Sequence, residues 1–222
     1  MILASLCSGG KDSIFSAYLA TQMGHEIACL VSIRPREGSW LFHTPNVDMV
    51  PLMAESMGVP LTTIESDGSE DGDMESLKDA LKGLDVEGVV VGAIWSDYQW
   101  DRINLVCGSL GLKVIAPMWR KGQGMLFEEI VSSGIKAMIV GCFAEGLDKG
   151  HLGRMLDQHL LDELKKLEVR YGISVMGEGG EYETLVLDSP MFKRPIDIVE
   201  SEIEWNRNHG TLNMLRAELK PR

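Results

Sequence analysis

"LASLCSGGKDSIFSAYL", residues 3–19, decides the fold. An apolar run ends at Leu6 and Cys7, two glycines follow, and Phe15, Leu19 and Met23 then recur at fourfold spacing. The pattern predicts a buried strand over 2–6, a tight turn, and a helix over 12–23 closed by Gly24. The turn delivers the chain to a helix N-terminus. The first N–H groups there have no intrahelical partner, and the helix dipole adds partial positive charge, so an anion is favoured. Gly9 and Gly10 carry no Cβ and allow close approach; Lys11 adds a cation, and Ser8 and Ser13 add hydroxyls. Asp12 is out of place beside a phosphate unless it holds a metal ion.

Outward from this stretch, strand and helix patterns alternate. Strands are expected over 27–33, 60–66, 89–94, 112–118 and 136–143; helices over 47–57, 74–84, 97–111, 125–132 and 153–171. This predicts an α/β fold: a doubly wound, mostly parallel, Rossmann-like sheet with helices on both faces. The last fifth changes character. Segments 183–192, 196–205 and 210–219 read as strands, with "NRNHG" as a hairpin turn, so a smaller C-terminal α+β part with antiparallel strands is expected. A division into 1–120 and 121–222 fits, with the boundary near 117–124.

Composition narrows the classes. The chain has 222 residues, 45% hydrophobic, enough for one large domain or two modest ones. No apolar run approaches the roughly 18 residues of a membrane span, and the N-terminus lacks the basic leader of a signal peptide. Cys7, Cys29, Cys107 and Cys142 lie far apart without a CxxC pair, which argues against a zinc site or disulfide framework and for a reduced, cytoplasmic setting. A net charge of -12 disfavours stable nucleic-acid binding. The 13 methionines read as core filling, and His43, in "FHTPN", as a loop residue.

The loop fails the Walker A pattern twice. With Lys11 as its lysine, that pattern needs glycine at position 5 and Ser or Thr at position 12, where Ser5 and Asp12 stand. "SGGKDS" instead resembles the PP-loop of the ATP pyrophosphatases, the adenine-nucleotide α-hydrolases. The resemblance implies cleavage of ATP between its α and β phosphates. Ser8, Gly9, Gly10, Lys11 and Ser13 would then hold the phosphates, with Asp12 near Mg²⁺.

Two further segments carry polar chemistry. "GAIWSDYQWDR", 92–102, follows the fourth strand, and loops at strand carboxyl ends line the crevice of a parallel sheet. Gly92 permits close approach, Ser96 and Gln99 offer polar contacts, Arg102 offers a guanidinium fork, and Tyr98 is a candidate substrate contact. "GEGGEYETLVLDSP", 177–190, sets Glu178, Glu181 and Glu183 around Gly179 and Gly180, with Tyr182 and Thr184. Such carboxylate density suits a metal, an ammonium ligand or acid–base work.

These segments, with "WLFHTPN" and "PMW", resemble in order the diphthine–ammonia ligase family, from the first loop to Pro190. "PMW" departs mildly from a Pro-Leu-Trp pattern. The resemblance implies that the carboxylate of diphthine, a modified histidine on translation elongation factor 2, attacks ATP to give an acyl-adenylate and pyrophosphate. Ammonium then supplies the amide nitrogen and AMP leaves. The Glu178–Glu181 cluster with Glu183 would hold ammonium or the substrate's trimethylammonium group, with Tyr182 and Trp119 as ring partners. Little length remains for a glutaminase, so free ammonium is the expected donor. The competing readings are a tRNA-modifying PP-loop enzyme and a non-catalytic ATP sensor. An exposed antiparallel edge near the C-terminus can pair in a homodimer.

Overall fold

The computed structural model describes residues 1–35 and 46–222; the aromatic tip at 36–45, His43 included, lies outside the described residues. Five parallel strands form the first sheet: β1 (Ile2–Leu6), β2 (Glu26–Pro35), β3 (Leu61–Ser66), β4 (Gly88–Val90) and β5 (Lys113–Ile115). Their order is β3-β2-β1-β4-β5. The chain moves outward from β1 to β3 and then crosses to β4 on the other side of β1. The switch point therefore falls between β1 and β4, where a ligand crevice is expected.

Alternating side chains explain how one sheet serves two layers. Leu3, Leu30 and Val90 face one core with α1 (Lys11–Gln22) and α2 (Val50–Met57). Ala4, Val31, Val89 and Val91 face the other, with α3 (Glu70–Leu81) and α4 (Asp97–Ser109). The first core does not end at the sheet. It continues into α5 (Gln123–Ser132), α6 (Gln158–Tyr171) and a second sheet through Phe127, Leu161, Tyr182 and Leu185.

That second sheet is antiparallel, with order β7-β6-β9-β8, built from β6 (Lys136–Cys142), β7 (Tyr182–Asp188), β8 (Ile196–Asn206) and β9 (His209–Leu219). The hairpin at "NRNHG" forms, with Asn206 paired to His209.

Several bounds move from the sequence pattern, each for a local reason. Helix α3 starts at Glu70 rather than 74, because the Ser69 hydroxyl accepts from Gly72 N–H and Glu70, Asp71 and Asp73 fill the first turn. Helix α6 starts at Gln158 rather than 153, because Asp157 caps Leu160 N–H. Strand β4 stops at Val90; Val91 N–H still bonds Ile115 O, and the chain then runs along the crevice through Gly92 and Ala93.

Candidate active site

At the switch point lies a cavity of about 430 Å³. Three segments meet around it: Ser8, Lys11, Asp12 and Ser13 after β1; Gly92, Ala93, Ser96 and Gln99 after β4; and Gly177, Glu178, Gly179, Gly180, Tyr182 and Glu183 before and within β7.

The first wall is a helix N-terminus held from behind. Gly9 takes φ +86, and a Cβ there would press on Met53 and Val50 at 3.3 and 3.4 Å, so it is a turn residue packed on the core. Its carbonyl accepts from Val186 N–H of β7 at 2.9 Å. Gly10 N–H donates to Ser8 Oγ, and Lys11 N–H donates to the buried Thr184 Oγ1 at 3.0 Å. The next first-turn residues, Asp12 and Ser13, are those that line the cavity. Gly9, Gly10 and Thr184 thus shape the loop from its rear face. Gly92 is required for a different reason: a Cβ there would stand 2.8 Å from the Asp12 carbonyl carbon and 2.9 Å from Ser13 N.

Lys11 is 3% exposed, and its Nζ donates to Asp12 Oδ2 at 2.8 Å and to Met176 O at 2.6 Å. Burial works against its charge, but Asp12, Tyr182 and Glu178 outweigh it and hold the ammonium pKa above its ordinary value. Asp12 Oδ1 is buried with no hydrogen-bond partner among the described residues. No group of three or more His, Cys, Asp or Glu is placed to hold a metal among those residues. An orphaned, anionic oxygen beside a phosphate-sized cradle fits a divalent ion that takes its remaining ligands from phosphate and water.

The acidic wall separates three glutamates that the sequence places together. Glu178 lines the cavity and accepts Trp95 N–H at 3.1 Å. Burial, reinforced by Asp12, pushes its carboxyl up to about 7 against the pull of Lys11. Glu183 also lines the cavity, makes no hydrogen bond among the described residues, and is pushed up by burial to about 7. Glu181 is turned elsewhere. Its Oε1 accepts Ser174 N–H and its Oε2 accepts Gly179 N–H, both at 2.8 Å, so it clasps the loop that carries Glu178.

Other expected residues stand behind the lining. Arg102 pairs with Glu70 and lies 3.4 Å over the Tyr98 ring, which leaves neither group in the cavity wall. Trp119 stacks on Trp100 at 4.6 Å beneath the Arg120 guanidinium. Tyr182 does line the cavity, but its hydroxyl donates to Val175 O and its ring faces Lys11 Nζ at 5.2 Å. Ser96 lines the cavity and caps α4 through Gln99 N–H.

The sequence pattern passed over an apolar wall of Leu6, Val31, Ile33, Ala93 and Ile103. Its signal was available: apolar residues at carboxyl ends of the strands flanking a switch point. Cys7 is in the same wall, and burial pushes its thiol up to about 11, so it is a protonated wall residue and no thiolate nucleophile.

A glycine turn at a helix N-terminus, apolar side chains and two glutamates lining one switch-point cavity have the form of one class: a nucleotide-dependent enzyme on a doubly wound sheet. A family model described as the diphthamide synthase N-terminal domain matches residues 1–114, and one described as the diphthamide synthase C-terminal domain matches 123–219. The chain belongs to the diphthamide synthase family. It is 40% identical to a diphthine–ammonia ligase of Homo sapiens, over 91% of this chain and 85% of that protein. It is also 40% identical to one of Danio rerio, over 97% and 94%, and 39% identical to one of Bos taurus, over 91% and 85%. A solved structure, "The crystal structure of predicted subunit of tRNA methyltransferase from Methanocaldococcus jannaschii DSM", is similar at 17% identity with a TM-score of 0.45, over 86% of this chain and 98% of that one.

Proposed function

We propose that this chain is a ligase that uses ATP to amidate the diphthine carboxylate of translation elongation factor 2 with ammonium, releasing AMP and pyrophosphate. The observation that carries the reading is the meeting of the β1 loop, the β4 exit and the Gly177–Glu183 segment around one cavity. Family membership favours it over a tRNA-modifying enzyme or a passive ATP sensor.

Each wall has a task. The apolar slot of Val31, Ile33 and Ile103 takes the base. The first turn of α1, with Ser8, Ser13 and Lys11, takes the phosphates and stabilises charge as pyrophosphate leaves. Lys11 is fixed by Met176 O and Asp12, so its charge is preorganised and needs no reorientation. Mg²⁺ at Asp12 Oδ1 would neutralise phosphate charge during attack at the α-phosphate. The chelator EDTA is accordingly expected to abolish pyrophosphate release, and excess Mg²⁺ to restore it.

Glu178 and Glu183 face the same space with carboxyls poised near neutrality, which suits holding ammonium and taking a proton as its nitrogen attacks. Glu181 serves as a positioning residue through Ser174 and Gly179. The test is pyrophosphate release with ATP, ammonium and diphthine-bearing elongation factor 2, each omitted in turn. Sustained release should need all three, ATP and the factor without ammonium giving at most one equivalent per enzyme, and release independent of the factor would overturn the assignment. Glutamine replacing ammonium in a strictly ammonium-free reaction would overturn the donor.

A further inference from the structure

Two exposed aromatic side chains belong to segments that touch the two glutamates lining the cavity, Glu178 and Glu183. Trp95 is 42% exposed, between Ala93 and Ser96 of the cavity wall, and its N–H is bound to Glu178. Phe143 is 43% exposed, its N–H is bound to Glu181 O, and its ring folds over Gly141. A Cβ on Gly141 would lie 2.7 Å from that ring and 3.2 Å from Glu183 Cβ, so the ring flanks Glu183. Neither aromatic group is required to close the core.

Arg120 adds a second, independent observation. It is a non-glycine residue at φ +59, a backbone region that side chains other than glycine rarely adopt. Its N–H is bound to Ile94 O, and its guanidinium lies 4.8 Å over the Trp95 ring and 4.9 Å over the Trp119 ring, paired with Asp97. Indole Nε1 of Trp95 donates to Lys121 O at 3.1 Å, so the ring is held in place although exposed. A fixed Trp–Arg–Trp stack whose outer members, Trp95 and Arg120, are exposed has the composition of a protein-binding hot spot, and the exposed Phe143 on the Glu183 side adds a second aromatic group of the same kind.

We infer that Trp95, Arg120 and Phe143 form the docking rim for the protein substrate, which seats over the mouth so that its modified side chain passes between Trp95 and Phe143 to reach Glu178 and Glu183. The inference rests on the function proposed above, because a carboxylate carried on a protein must enter from the rim and bring its surrounding surface with it. The rim is continuous with the site through the Trp95–Glu178 bond and the Phe143–Gly141–Glu183 contact.

The experiment measures binding of diphthine-bearing elongation factor 2 directly, and its turnover, for the wild type, Trp95→Ala, Phe143→Ala and Arg120→Gly. The glycine variant removes the guanidinium while suiting the left-handed backbone, so it separates docking from folding. Val169→Ser, at a fully solvated position on α6, is the control. Each rim variant should weaken binding of the factor and raise its KM about fivefold or more, with the KM for ATP and the thermal midpoint held. Wild-type turnover with unweakened rim variants overturns the rim alone. A wild type that neither binds nor converts the factor overturns the proposed function and the rim together.

Discussion

The wall after β1 and the wall before β7 face one cavity and are made differently. The first is contiguous in the chain: strand, Gly9-Gly10 turn and α1 N-terminus follow one another within a dozen residues, with Val186 and Thr184 fastening the turn from behind. The second is assembled from a distance. Glu178 depends on Trp95 N–H, 83 positions away, and its loop depends on Glu181 gripping Ser174 and Gly179. A wall built on one turn keeps its shape through local backbone geometry. A wall built from carboxylates depends on which side chain points where.

Four experiments press on that contrast. The largest effect is expected where the walls touch. Gly92→Ala must push its Cβ into the Asp12–Ser13 backbone, so activity should fall about a hundredfold and stability by roughly 1–3 kcal/mol. Near-normal pyrophosphate release in that variant would show that the first wall yields more easily than its packing implies.

Glu178→Gln and Glu181→Ala should next part company. The former removes a buried charge and keeps the shape, so turnover should drop roughly a hundredfold with the thermal midpoint unchanged or raised. The latter strips two N–H groups of their acceptor and should cost about 1–3 kcal/mol in denaturant unfolding, with a smaller loss of turnover. Equal stability losses in both would erase the distinction between a site carboxylate and a clasp.

The third is a pH series. Glu178 and Glu183 rise from 4.5 to about 7 on folding, so the folded chain holds their protons more tightly than the unfolded chain. Their contribution to stability is therefore greatest below about pH 4.5, falls as pH rises to 7, and is level above it. Turnover should run the other way and climb through pH 7 as the pair ionises. Unfolding curves of Glu178→Gln with Glu183→Gln should lose that slope.

The smallest effect belongs to Glu70→Ala. Its pair with Arg102 is partly solvated and outside the cavity lining, so stability should change by about 0.5 kcal/mol and the KM for ATP by less than about twofold. A large rise in that KM would return Arg102 to the phosphate site.

Legibility in the sequence followed the same division. Strand β1, the turn and α1 were readable because hydrophobic period, glycine and cap signals are local. The cavity's first wall came with them. Strand β4 was expected to run to Ile94, but it ends at Val90, and Val91, Gly92 and Ala93 line the cavity instead, which no periodicity reports. The motif around Gly179 was readable as chemistry yet not as roles: Glu178, Glu181 and Glu183 are one pattern on paper and two functions in space. Arg102 and Trp119 were drawn toward the site by residue type, whereas Glu70 and Trp100, distant partners, claim them.

The bonds from Val186 N–H to Gly9 O, from Lys11 N–H to Thr184 Oγ1 and from Lys11 Nζ to Met176 O tie the loop after β1 to β7 and to the segment before it. The N-terminal half is therefore no free-standing nucleotide module that could be cut out, swapped or grafted. Its loop borrows three fastenings from residues 176–186, so a chain shortened before them would lose its hold on the nucleotide even if the first sheet still formed.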